Sequence, residues 1–111
     1  MTIAGPDIPD ASLPSFLDAV AFDAGRATVT PLASLGSMRA FVVGLQPGQR
    51  LADHPAPAPL CLLVVEGNVT ITVDGHARPA PAGSTVVIGD GVTHALEAVG
   101  SARAIVVGVL A

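Results

Sequence analysis

The sequence of 111 residues has no tryptophan, no tyrosine, no lysine and a single cysteine, Cys61. Nucleic-acid-binding domains present a basic surface with aromatic residues between the charges. A net charge of −4 and 3% aromatic residues exclude that class. One cysteine cannot form a disulfide within the chain. No run approaches the roughly 20 apolar residues of a membrane-spanning helix, and the first residues lack the pattern of a signal peptide, so no membrane partner and a cytoplasmic location are expected.

Half of the residues are apolar, mostly valine, leucine, isoleucine and alanine. Branched aliphatic side chains favour pleated sheets, and a chain of this length suits one compact domain. Only 13% of the residues are charged, which is a thin polar cover for a monomer. We therefore predict that part of the surface is covered by a second copy, as a homodimer. The segment Phe16–Phe22 and the apolar run Ala104–Leu110 are the expected contacts across its two-fold axis.

Short runs of alternating or continuous apolar residues, separated by turn signals such as Pro47-Gly48 and Asp74-Gly75, predict strands rather than helices. The segment 54–59, His-Pro-Ala-Pro-Ala-Pro, is predicted to lie extended at a sheet edge because proline cannot donate to a ladder. Residues 1–26 are assigned to an N-terminal arm with a short segment of ambiguous type, and residues 27–111 to a β-barrel domain. The predicted strands are 27–32, 38–45, 60–65, 69–73, 85–88, 94–99 and 104–110.

Glycine and histidine recur at fixed spacings in the central part of the chain. Gly48 is followed by five residues and His54, and twelve residues separate that histidine from Gly67. A spacer of fifteen residues leads from Gly67 to Gly83. After five more residues come Gly89-Asp90-Gly91, two further residues and His94. These two stretches resemble the paired motifs of the cupin superfamily, in the form of the small single-domain bacterial cupins.

The resemblance implies an all-β fold of the cupin type, a double-stranded β-helix or jelly-roll barrel enclosing one pocket. It also implies four metal ligands, three histidines and a glutamate, of which only His54 and His94 are present. Ala56 stands at the second histidine position and Leu60 at the glutamate position. The metal motifs are therefore degenerate, and the fold carries over to this chain more directly than any activity does.

The resemblance places both histidines in the pocket, and the strand period adds Leu62 and Val64, which share the parity of Leu60. Two imidazoles fall short of the three or four protein ligands of a functional metal site. No cofactor is therefore expected, and a divalent metal, if one binds, would be held by His54 and His94. The predicted lining of the ligand pocket is His54, Ala56, Leu60, Leu62, Val64 and His94.

A carboxylate could complete a set of two histidines and one acid. Asp53 lies one residue from His54, and Glu97 lies three residues from His94. In extended strands both acids point away from the histidines, and Asp90 sits in a turn at the rim. None of the three is a strong candidate.

The remaining reactive side chains receive ordinary structural interpretations. His76 follows a turn and is expected in a solvated loop. Cys61 is expected to face away from the pocket, since it adjoins Leu60. Arg39 and Arg103 are interpreted as surface charges on strands.

Two main hypotheses about function remain. The first is a protein that binds a small molecule in the barrel pocket without a strongly held metal. The alternative is a metal-dependent enzyme of the dioxygenase or isomerase type with an incomplete two-histidine site. By family analogy, the domain could also act as a sensor through a separate DNA-binding partner.

Overall fold

The computed structural model describes residues 15–111, and the predicted arm over residues 1–14 lies outside the described residues. One short helix is followed by nine strands. Their bounds are α1 Phe16–Ala19, β1 Thr28–Leu35, β2 Met38–Leu45, β3 Arg50–Pro55, β4 Leu60–Glu66, β5 Asn68–Val73, β6 His76–Pro81, β7 Thr85–Ile88, β8 Thr93–Ala98 and β9 Ala104–Leu110. Within this part of the chain, no helix is long and apolar enough to cross a bilayer.

The strands form two antiparallel sheets that face each other. One sheet has the order β1-β2-β9-β4-β7, and the other has the order β3-β8-β5-β6. Inward-facing aliphatic side chains from both sheets, such as Leu45, Leu62 and Ile71, are fully buried between them. This arrangement confirms the predicted all-β fold, a double-stranded β-helix of the jelly-roll kind.

Two strands were not predicted from the sequence, namely β3 and β6. Both contain proline, which removes a donor from a ladder and argues against a central strand. Both lie at the edges of the four-stranded sheet, where one side of the strand needs no partner. His76, expected in a loop, begins β6 but remains exposed. The prediction that His54 and Pro55 lie at a sheet edge is confirmed.

Strand β9 has the bounds predicted for it, but its position rules out part of its predicted role. It lies between β2 and β4, so both of its edges are already hydrogen-bonded within the sheet. It therefore cannot pair through an edge with a second copy. Residues 104–106 are buried on both faces, as expected for a continuous apolar strand, whereas the side chain of Val109 is exposed on the outer face.

The segment that contains α1 covers the outer face of its own sheet. A Cβ atom on Gly44 would collide with the carbonyl oxygen of Ala21, which shows how closely this segment crosses β2. At the end of the segment, the Arg103 guanidinium lies 4.7 Å from the centre of the Phe22 ring. Arg103 Nε also donates to a carboxylate oxygen of Glu66 at 2.7 Å. Arg103 thus holds the N-terminal segment against the sheet and is not only a surface charge.

Candidate functional site

A cavity of about 640 Å³ lies between the two sheets. Its volume is within the range of roughly 300–1,000 Å³ that is usual for small-molecule sites. Its wall is mostly hydrocarbon. The lining residues are Val29, Pro31, Leu32, Ala33, Ser34, Arg39, Ala40, Phe41, Val43, Leu51, His54, Pro57, Leu60, Leu62, His94, Leu96 and Leu110.

The two histidines meet at this cavity because they are register partners. His54 on β3 lies directly opposite His94 on β8. Their ring centres are 4.2 Å apart, with an angle of 59° between the ring planes. His54 is exposed at the rim, whereas His94 is only 3% exposed. The two imidazoles therefore meet at the cavity, as predicted.

Each imidazole is oriented by the carbonyl group two residues before it in the chain. His54 Nδ1 lies 2.8 Å from the carbonyl oxygen of Ala52, and His94 Nδ1 lies 3.2 Å from that of Val92. A carbonyl oxygen only accepts, so in each ring Nδ1 carries the proton and donates it. In the neutral rings Nε2 is then an acceptor with a free lone pair. When both rings are uncharged, the pair offers a ligand two hydrogen-bond acceptors.

The pKa of His94 favours the neutral form of its ring. Desolvation by burial lowers the pKa of His94 below its ordinary value of 6.5, and the nearby His54 acts in the same direction. The Val92 carbonyl and the Asp53 carboxylate act against this lowering. Burial is the largest of these effects, so His94 is uncharged at neutral pH.

An irregularity in β3 decides which residues face the cavity. Leu51 pairs with Leu96 and His54 pairs with His94, so three steps along β3 match two steps along β8. This extra residue is a β-bulge. Without it, the odd spacing of Leu51 and His54 would put them on opposite faces of the sheet. With it, both side chains line the cavity.

Of the six residues predicted to line the pocket, His54, Leu60, Leu62 and His94 do so. Ala56 and Val64 are fully buried in the core instead. Ala56 lies past the end of β3, where its N–H donates to the Val92 carbonyl and its own carbonyl accepts from Gly91; the residue is buried in the core cluster and is not part of the cavity wall. Val64 faces inward as its parity predicts, but core neighbours cover it completely.

The three acids considered as additional ligands stand apart from the histidines. Asp53 and Glu97 both face outward and lie 3.7 and 3.8 Å from the Arg50 guanidinium. Asp90 is exposed in the turn before β8. Within residues 15–111, no three His, Cys, Asp or Glu side chains come close enough together to hold a metal ion. With hydrocarbon at positions 56 and 60, the donor set does not fit the four-ligand metal site that the resemblance implies.

Sequence reasoning missed a large part of the cavity wall. Phe41 and Val43 could have been found, since they share one face of a strand with predicted bounds. The lining residues on β1 could not have been found, because a second bulge between Pro31 and Ala33 interrupts the two-residue period of that strand. Arg39, interpreted as a surface charge, also lines the cavity.

Comparison with known structures finds the same architecture in several bacterial proteins. An uncharacterised conserved protein with a double-stranded β-helix domain from Klebsiella pneumoniae matches with a TM-score of 0.83 at 21% identity, over 91% of this chain and 90% of that one. Protein TT1209 from Thermus thermophilus matches with a TM-score of 0.80 at 16% identity, over 88% and 95%. Likeness at such identities shows the fold alone.

A cupin 2 conserved barrel domain protein from Leptotrichia buccalis matches with a TM-score of 0.75 at 21% identity, over 85% of this chain. The match spans only 45% of that longer protein. No curated protein sequence matches the chain. The sequence model of the cupin domain matches residues 41–109, which is more than half of the chain. The chain therefore belongs to the cupin-domain family.

Proposed function

We propose that this protein binds a small, largely apolar molecule in the cavity between its sheets, without a strongly held metal ion. The observation that carries the proposal is the composition of the cavity wall. Leucine, valine, proline and phenylalanine side chains make up most of it, and the histidine pair lies among them. Apolar pockets with a few convergent polar groups are the usual form of small-molecule sites.

The apolar wall and the histidines contribute to ligand recognition in different ways. Transfer of apolar ligand surface from water to the aliphatic wall supplies the affinity. Where both rings are uncharged, their Nε2 atoms accept a hydrogen bond from a hydroxyl or amide group if the ligand carries one.

The neutral fluorescent probe N-phenyl-1-naphthylamine tests the proposal. Its emission rises in apolar surroundings, and it is excited at wavelengths that tryptophan does not absorb. Leu62→Trp fills the cavity, whereas Leu63→Trp places the same side chain on the outer face of the same strand. We expect the first variant to lose the probe signal and the second to keep it.

Leu110→Trp, at the rim of the cavity, is the second blocking variant if Leu62→Trp does not fold. Circular dichroism establishes that each variant keeps the β-sheet spectrum. Equal probe binding by the wild type and by a folded cavity-blocking variant would contradict the proposal.

The metal-dependent enzyme is retained as the alternative, since two imidazoles with free Nε2 atoms lie 4.2 Å apart. Elemental analysis of the protein after incubation with Fe, Ni, Mn and Zn distinguishes the two. We expect substoichiometric metal at every loading. Stoichiometric metal that is lost in His54→Ala or His94→Ala would favour the enzyme.

We further propose that the protein forms a homodimer through the outer face of its five-stranded sheet. Leu63, Val87 and Val109 are 39%, 76% and 37% exposed there. Cys61 lies between Val87 and Val109 in register, so these residues form one apolar patch. An uncharged patch on a sheet face can pack against its own copy around a two-fold axis.

A further inference from the structure

Arg39 is placed at the rim of the cavity by the register of three strands. It lies near the start of β2, opposite Ser34 on β1 and Leu110 on β9. All three residues line the cavity. The side chain of Arg39 is solvent-exposed, so its guanidinium is accessible to a molecule that enters between the sheets.

Two other arginines pair with acids that lie outside the cavity wall. Arg50 is within 4.0 Å of Asp53 and Glu97, and Arg103 pairs with Glu66. Among residues 15–111, Arg39 has no carboxylate within that distance, and no acidic side chain lines the cavity. A protein with a net charge of −4 thus has a cavity whose formal charge is positive.

The chemistry of this wall narrows the class of ligand. A guanidinium presents a planar fork of donors that matches a carboxylate. A sugar would need many polar partners, and the aliphatic wall would leave most of its hydroxyl groups unsatisfied. The uncharged His94 ring offers an acceptor, so it does not compete with Arg39 for an anionic group. A single negative charge on an apolar body fits both features of the wall.

We propose that the ligand of the cavity is a small carboxylic acid with an apolar body, and that the Arg39 guanidinium pairs with its carboxylate at the rim. This inference rests on the proposed function, because it names the class of molecule that the same cavity takes. The apolar body lies against Phe41, Leu60 and Leu62, and the carboxylate stays near solvent beside Arg39. The carboxylate therefore avoids the full cost of burying a charge.

Octanoate and octanamide test the inference, because they share an apolar chain and differ in the charge of the head group. Each is titrated against the complex of the protein with N-phenyl-1-naphthylamine at pH 8, well above the ordinary histidine pKa of about 6.5. We expect octanoate to bind about tenfold more tightly than octanamide. That factor corresponds to one charge-assisted contact that is partly exposed to solvent.

Arg39→Gln removes the charge, and Arg78→Gln removes an exposed arginine from β6, away from the cavity. We expect Arg39→Gln to abolish the preference for octanoate while octanamide binds as before, and Arg78→Gln to leave both affinities unchanged. Arg39→Lys should retain part of the preference.

The possible results separate this inference from the proposed function. If the wild type binds the two probes equally, or if Arg39→Gln keeps the preference, the carboxylate inference is overturned and the apolar binding function stands. If N-phenyl-1-naphthylamine binds but neither compound displaces it, the inference is overturned alone. If the naphthylamine itself does not bind in the cavity, both are overturned.

Discussion

The contact between Phe41 and Gly108 gives a prediction whose size follows from the structure. The two residues are register partners on β2 and β9, and the Phe41 ring lies over the Gly108 Cα atom at the cavity wall. A Cβ atom on Gly108 would lie 2.6 and 2.7 Å from two ring carbons and closer still to a third. For the Cβ atom to reach a normal carbon–carbon distance of roughly 3.5 Å, the ring has to move by about 1 Å.

Gly108→Ala should therefore destabilise the protein by about 1–3 kcal/mol, the usual cost of overpacking. Phe41→Leu removes part of the ring and should cost about 1.5 kcal/mol. In the double variant the new methyl group occupies space that the ring has left. We expect the cost of the double variant to fall short of the sum of the single costs by at least about 1 kcal/mol.

Urea unfolding followed by circular dichroism measures these free energies of unfolding. Gly83→Ala combined with Phe41→Leu is the control, since nothing lies within 4 Å of a Cβ atom on Gly83. That pair should be additive to within about 0.5 kcal/mol. If the costs of the Phe41 and Gly108 changes were also additive, the packing described for this wall would be refuted.

Three further predictions concern stability, pH and assembly. Gly67→Ala should unfold the protein at a much lower temperature than Gly83→Ala. Both glycines have positive φ, but a Cβ atom on Gly67 also collides with the backbone of residues 103 and 104. Because burial lowers the pKa of His94 below its unfolded value of 6.5, the free energy of unfolding should be level above pH 6.5 and fall as the pH drops through the folded pKa. In urea titrations of His94→Gln, this pH-dependent part of the free energy of unfolding should be absent. A wild-type stability that rises on acidification would contradict the prediction. In sedimentation equilibrium, the wild type should behave as a dimer and Val87→Glu as an 11 kDa monomer; a wild type of 11 kDa would contradict the proposed dimer.

The sequence by itself determined the class of fold and the two histidines that meet at the cavity. Apolar runs bounded by turn residues predicted β2, β7 and β9 with the bounds observed. The spacing of Gly48, His54, Gly83 and His94 identified the family and the two imidazoles that meet. These features are local, or they follow a known spacing, so they can be read along the chain. The absence of ligating atoms at positions 56 and 60 was equally visible there.

Only the tertiary structure decided which side chains form the cavity wall. The bulges in β1 and β3 reset the inward face, so Leu51 and His54 share it despite their odd spacing. Prolines are tolerated in β3 and β6 because both strands became edges when the sheets assembled. Arg39 reaches the rim because β2 lies between β1 and β9. These outcomes depend on pairing between residues far apart in sequence, and no local period encodes that pairing.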